Sequence, residues 1–315
     1  MQKPTYDPGL TQQYTGRLRR TINDDGSFNV DRRGGSWRHL HPYLFLLNLK
    51  WPIFIAGLFA AYFVANLFFA ILYWFFAQGE LQGNDAATEW GRFLNDFFFS
   101  AHTLTTVGYG NIAPHGLAAN VISSVEALTG VLAFAIATGL LFGRFSRPSA
   151  RIAFSRNVLV TPYADAMSLQ FRIVNLRPNV LMELEARVLL MTVERGDGSL
   201  RRVYKPLNLE RPAVQFLPLT WTIVHPIDEE SPFRDMSKEQ MAGMEAELLI
   251  LIRAWDDTFS QTVHARHSYA YDEFAWNARF APAFHVNEDG ALVLDVDKVG
   301  DLKAPAEASR IEQPL

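Results

Sequence analysis

The chain has 315 residues, 49% hydrophobic, 20% charged and 13% aromatic, which excludes disorder, collagen and coiled-coil arrays. A net charge of −4 gives no global attraction for nucleic acid, and the lack of cysteine excludes disulfides, thiol catalysis and cysteine-bound zinc. The hydrophobicity is unevenly spread, with its extremes in residues 51–143.

Residues 1–36, polar and containing Gly and Pro, predict a flexible terminus. In 37–50, Tyr43, Leu44, Phe45, Leu46, Leu47 and Leu49 are too few to cross a membrane. With Arg38, His39 and His41 they predict an amphipathic helix at the inner interface, with Pro42 marking its start. Residues 51–77 form an uncharged run of 27 residues, 24 of them apolar. As a helix it reaches roughly 40 Å, against ~30 Å of hydrocarbon. A second run of 27 residues, 117–143, has Glu126 as its one charge and is diluted by Ser123, Ser124, Thr129, Gly130, Thr138 and Gly139. Such residues suit a span packed against other helices or lining water.

Eight Lys or Arg precede Trp51, whereas residues 78–116 hold only Arg92. Arg144, Arg147, Arg151 and Arg156 follow the second run. The positive-inside rule predicts a multi-pass membrane protein with both termini in the cytoplasm. The first 50 residues show no secretory signal, so the first hairpin is expected to direct insertion.

Between the spans, Gly91–Thr105 is too apolar for an exposed loop and too short to cross, which predicts a re-entrant half-helix. Thr106-Val107-Gly108-Tyr109-Gly110 follows it, giving a pore helix and filter over 91–110. Carbonyls of Thr106, Val107, Gly108 and Tyr109 can replace the hydration shell of K+ when four strands surround one axis. Gly108 and Gly110 tolerate the alternating backbone hand this requires. The prediction is a potassium filter, and therefore a homotetramer with K+ as permeant ion and no organic cofactor. Phe134, Thr138 and Phe142 share one helical stripe, open to a cavity or to packing. Gly130 and Gly139 are open to two readings, flex points or close packing.

Short alternating runs over 158–296 (Ser168–Val174, Glu183–Glu194, Val214–Val224, Glu247–Ala254 and Phe259–His267) predict a β-sandwich at 150–296. Gly196-Asp197-Gly198 is a hairpin turn. Ser237-Lys238-Glu239-Gln240 is a capping box opening a short helix. Residues 297–315 predict a second flexible tail. His264 and His267 are an odd number of residues apart, so on a strand they face opposite ways and make poor co-ligands. Catalysis is not expected. A membrane-anchored ligand sensor is the alternative, but an anchor needs no glycine-alternating filter.

Trp221-Thr222-Ile223-Val224-His225-Pro226-Ile227-Asp228-Glu229-Glu230-Ser231-Pro232 resembles a signature of inward-rectifier potassium channels. His264-Ala265-Arg266-His267-Ser268-Tyr269 and Arg144-Phe145-Ser146-Arg147-Pro148 resemble others, and the likeness runs from about residue 37 to 290. A cysteine-free external loop, and Asn111 where animal members carry an arginine just beyond, point to the bacterial branch. The resemblance implies an immunoglobulin-like cytoplasmic sandwich extending the pore, with residues 37–50 as the slide helix. It also implies a gate at Phe142, a second narrowing at Trp255 in the loop Ala254–Asp257, and phosphoinositide headgroups on Lys50, Arg144, Arg147 and Arg151. Strongly rectifying members carry acids at the positions of Phe134 and Arg253, so Mg2+ or polyamine block is expected to be weak. Asp256 and Asp257 compensate only if they face the axis. His102 stands where many relatives carry Glu or Gln. It is either a proton-sensing partner of Glu126 behind the filter, or a neutral imidazole with a fixed hydrogen bond.

Overall fold

The computed structural model describes residues 8–10, 12–14, 20–31, 33, 41–146, 150–164, 166–196 and 199–303. Arg38, His39, Arg147, Pro148, Asp197, Gly198 and residues 304–315, singled out above, lie outside them. The chain divides into a helical unit, Arg33–Arg147, and a β-rich unit built from residues on either side.

In the helical unit, α1 spans Pro42–Asn48, with proline in its first turn, where no partner for its missing N–H is needed. Helix α2 runs Trp51–Phe76, α3 runs Glu89–Leu104 and α4 runs Leu117–Phe145. Thr88 caps α3, its hydroxyl accepting from the Gly91 N–H at 3.1 Å. At the start of α4, Glu80 accepts from the Ala119 N–H at 2.9 Å, a carboxylate at the positive end of the helix dipole. Both α2 and α4 are long and apolar enough to cross a membrane, and only 17% of the most apolar stretch of each is buried. A core helix of a soluble protein would be buried on most faces. Here Phe59, Phe63, Phe75, Leu128 and Ile136 point outward.

The β unit is a sandwich. Its larger sheet orders strands Gln13–Tyr14, Ser199–Pro206, Leu181–Gly196, Glu247–Asp256 and Gln261–Ala270, with Ala213–Phe216 also on Leu181–Gly196. The smaller orders Thr220–Ile227, Ala166–Asn175, Val158–Tyr163 and Phe274–Trp276, with Ile152–Phe154 added on Ala166–Asn175. Alternation decides what lies between them. On Glu247–Asp256, Leu248, Ile250, Ile252 and Ala254 point inward while Arg253 and Trp255 point out. They meet Phe171, Ile173, Trp221 and Ile223 from the other sheet. Each fully buried Leu, Ile or Phe side chain contributes about 1.5–3 kcal/mol. Ser237 and Gln240 form the capping box of α5, Lys238–Gly243.

Three expectations are corrected. The single run Val214–Val224 is two strands, because Pro218 between them cannot donate to a ladder. The segment Arg20–Val30, assigned to a flexible terminus, packs on the larger sheet. Thr21 donates through its N–H (2.9 Å) and hydroxyl (2.7 Å) to the buried Glu247 carboxylate, and Ile22 sits among Met191, Val193, Tyr204 and Leu249. At the other end, a 3-10 turn at Val296–Gly300 buries Val299, and Leu302–Lys303 pairs with Arg279–Phe280, so the fold continues past 297.

Candidate functional site

The Thr106–Gly110 strand follows the C-terminal end of α3, and its backbone alternates in hand. Thr106, Gly108 and Gly110 have φ of 61°, 57° and 82°, while Val107 and Tyr109 between them are not left-handed. Nothing lies within 4 Å of where a Cβ would stand on Gly108 or Gly110, so glycine is required there for conformation, not for space. The strand N–H groups turn back on the helix. Val107 and Gly108 donate to the His102 carbonyl at 2.9 and 3.2 Å, and Thr106 donates to the Thr103 carbonyl at 3.0 Å. These bonds satisfy carbonyls at the end of α3. Sequence reading foresaw the glycines but not the left-handed Thr106.

Behind the strand, the Tyr109 ring stands edge-on to His102, with centroids 4.8 Å apart and planes at 89°. His102 does not meet Glu126. The Glu126 carboxylate accepts from the Tyr73 hydroxyl at 2.6 Å and from the Ser100 hydroxyl, which also reaches the Asn66 side-chain oxygen at 3.2 Å. All four residues are buried, tying α2, α3 and α4 together. Ser100 and His102 are two apart on α3 and so look in different directions, and Ser100 takes the partner that sequence reading offered to His102. The residues missed were Tyr73, Ser100 and Asn66; Asn66, the one polar side chain inside its apolar run below Tyr73, was the signal available. Just below, a Cβ on Gly130 would lie 1.9 Å from the Leu104 carbonyl oxygen, so that glycine serves close packing. Around Gly139 there is open space.

Phe134, Thr138 and Phe142 lie along one face of α4, all exposed within the chain; Phe134 and Phe142 are 76% and 72% accessible. Lys50 stands just before the first residue of α2 and is exposed. Arg144 stands in the last turn of α4. Its guanidinium is occupied by the carbonyls of Leu46, Leu47 and Leu49. Arg151 is exposed on the β unit.

On the outer face of the larger sheet, Arg253 lies 4.0 Å from Glu185, which also pairs with Arg187 at 2.8 Å. Trp255 is 37% exposed on that face. Ala254–Asp256 is not a loop but the end of a strand, bulged between Arg253 and Trp255. Asp256 does not face outward. It is buried, accepting from Asn179 at 2.9 Å and from the Thr258 N–H at 3.0 Å. His264 and His267 sit on opposite faces of their strand, His267 stacked on Phe154 at 4.6 Å. Burial first, and then the nearby Arg20 charge, lower the His267 pKa to about 4.

The comparisons with known proteins follow this division. A family profile described as "Ion channel" matches residues 58–147, and one described as "Inward rectifier potassium channel C-terminal domain" matches residues 152–310. Together with two membrane-length helices, these matches define a membrane channel protein with a β-sandwich domain. The chain belongs to the inward rectifier potassium channel family. It is 35% identical over 290 residues to the inward rectifier potassium channel Kirbac3.1 of Paramagnetospirillum magnetotacticum, covering 91% of this chain and 96% of that one. It is 28% identical over 340 residues to human G protein-activated inward rectifier potassium channel 2, covering 95% and 78%. Channel 3 of that type from Mus musculus is 28% identical over 321 residues, covering 92% and 79%.

Proposed function

We propose that four copies of this chain assemble around one axis as a passive, potassium-selective pore with Thr106–Gly110 as its filter. The observation that carries this reading is the alternating backbone hand at Thr106, Gly108 and Gly110. Successive carbonyls then face one side, and four strands supply rings of oxygen that replace the hydration shell of K+. The His102 carbonyl, by holding two strand N–H groups, fixes the strand that offers those oxygens. Both termini are cytoplasmic on the distribution of basic residues.

Phe142 is the gate, where four rings close the path by dewetting; Phe134 and Thr138 face the cavity above it. Trp255 narrows the cytoplasmic end. Phe142→Ala raises flux about tenfold in this reading, because a dewetted constriction depends on bulky side chains. Anionic headgroups, phosphoinositides among them, bind Lys50, Arg147 and Arg151. Arg147→Gln weakens phosphoinositide sensitivity, and unchanged sensitivity would discard that site. Block by Mg2+ or polyamines is weak, since four Phe134 rings carry no charge and Arg253 adds a positive one. Phe134→Asp makes spermine block steep; steep block in the wild type would contradict the cavity position of Phe134. The pore itself is tested by rubidium uptake into liposomes, which barium should abolish.

A further inference from the structure

Helix α1 ends at Asn48, so the carbonyls of its last turn have no partners within the helix. No basic side chain stands in that turn, and Pro52 has no N–H to offer back to it. The missing donors come from the last turn of α4. Arg144 Nη1 donates to the carbonyls of Leu46 and Leu47 at 2.6 and 3.0 Å, and Nη2 donates to that of Leu49 at 2.7 Å. The same guanidinium lies over the rings of Trp51 and Phe54, 4.6 and 4.4 Å from their centres. Trp51 in turn packs on Phe145 at 5.0 Å. Tyr43 of α1 reaches Gly143, where a Cβ would stand 2.8 Å from its hydroxyl oxygen, so a side chain there would have to displace the tip of that ring.

A phosphate ligand needs free, outward N–H groups, and this fork has spent both hydrogens of Nη1 and one of Nη2, while Nε is buried. We propose that Arg144 is a positioning residue: a clasp that joins the carbonyl end of α1 to the last turn of α4, and so holds the turn that carries Phe142. The part concerning Phe142 rests on its reading as the gate. A planar fork can span carbonyls three residues apart while stacking on two rings, and the compact ammonium of lysine cannot. The charge itself is therefore not the active feature.

The test separates charge from fork. Wild type, Arg144→Lys, Arg144→Gln and Gly143→Val, each as the full tetramer in nanodiscs of phosphatidylcholine alone, are compared by amide hydrogen exchange over residues 43–49. All three variants should exchange these amides about tenfold faster than wild type, with no anionic lipid present. In liposomes the same variants should raise rubidium flux about threefold with rubidium-over-sodium preference unchanged. Binding of a short-chain phosphoinositide should stay within about twofold of wild type for Arg144→Lys and Arg144→Gln alike. The clasp is overturned if Arg144→Lys matches wild type in exchange while Arg144→Gln loses phosphoinositide binding, because a lipid ligand needs only the charge. Faster exchange with unchanged flux, where Phe142→Ala does raise flux, overturns the link from α1 to the gate. Faster exchange with flux unchanged in Phe142→Ala as well supports the clasp and moves the gate away from Phe142.

Discussion

Two buried carboxylates, one in each unit, do similar work in different solvents. Glu126 is fully buried and is held by hydroxyls from two other helices, Tyr73 and Ser100. Glu247 is 4% exposed and is held by the N–H and hydroxyl of Thr21, 226 residues earlier in the chain. Each ties a distant segment into its unit through neutral donors. The difference lies in what surrounds them. Glu126 lies among three helices, and the hydroxyls that hold it are themselves buried. Glu247 borders a cleft of about 750 Å³ lined by Arg20, Asn23 and Glu273, where water can replace a lost partner. The lesson is that hydrogen-bond count does not set the cost of losing a carboxylate; access to water does.

The comparison breaks most visibly at Glu126. Glu126→Leu strands two buried hydroxyls and should cost about 2–5 kcal/mol, read as a lower thermal unfolding midpoint in detergent. Glu126→Gln keeps an acceptor and should lose less than half as much. Glu247→Leu should cost only about 1–2 kcal/mol, because Glu247 borders a cleft that admits water, and should make residues 20–30 open to limited proteolysis while rubidium flux persists. Equal losses for Glu126→Leu and Glu247→Leu would contradict the role given to water.

The smallest effect sharpens the second region. His267 is neutral in the fold, its pKa held near 4 by burial and by the Arg20 charge, against about 6.5 for an ordinary histidine. The unfolded chain therefore takes up a proton first as pH falls. Stability from this group is intact above about pH 6.5 and drains away between there and about pH 4, by about 1–2 kcal/mol after allowance for screening of a partly exposed ring. Asp24 opposes this by raising the pKa, and Arg20 lies between the two. His267→Phe keeps the stack on Phe154 and should flatten denaturant midpoints across that window. A slope unchanged in His267→Phe would assign the pH dependence elsewhere.

What the sequence made legible follows the same physics. Both membrane-length helices could be read because an apolar run of this length with at most one charge has few other uses, and the strand after α3 because glycines mark its backbone hand. The sandwich showed through its alternation, whereas Val158–Val160 is buried on both sides and offered no alternation to read. The docking of Thr21 and Ile22 left no local trace, since a short polar segment shows nothing of a partner in a strand far along the chain. The carbonyls that Arg144 meets left no trace either, since a cation after a span fits the positive-inside rule whatever its side chain touches. His102 could have been separated from Glu126 by helical offset alone, because Ser100 occupies a different direction on α3.

The measurement that bears most directly on the central claim is the reversal potential of purified channels in a planar bilayer with potassium on one side and sodium on the other. With carbonyl rings at Thr106–Tyr109 selecting the ion, the reversal potential should track the potassium gradient as it is varied, and external barium should remove the current. A reversal potential that stays near zero, or that follows sodium, would contradict a potassium filter in this chain.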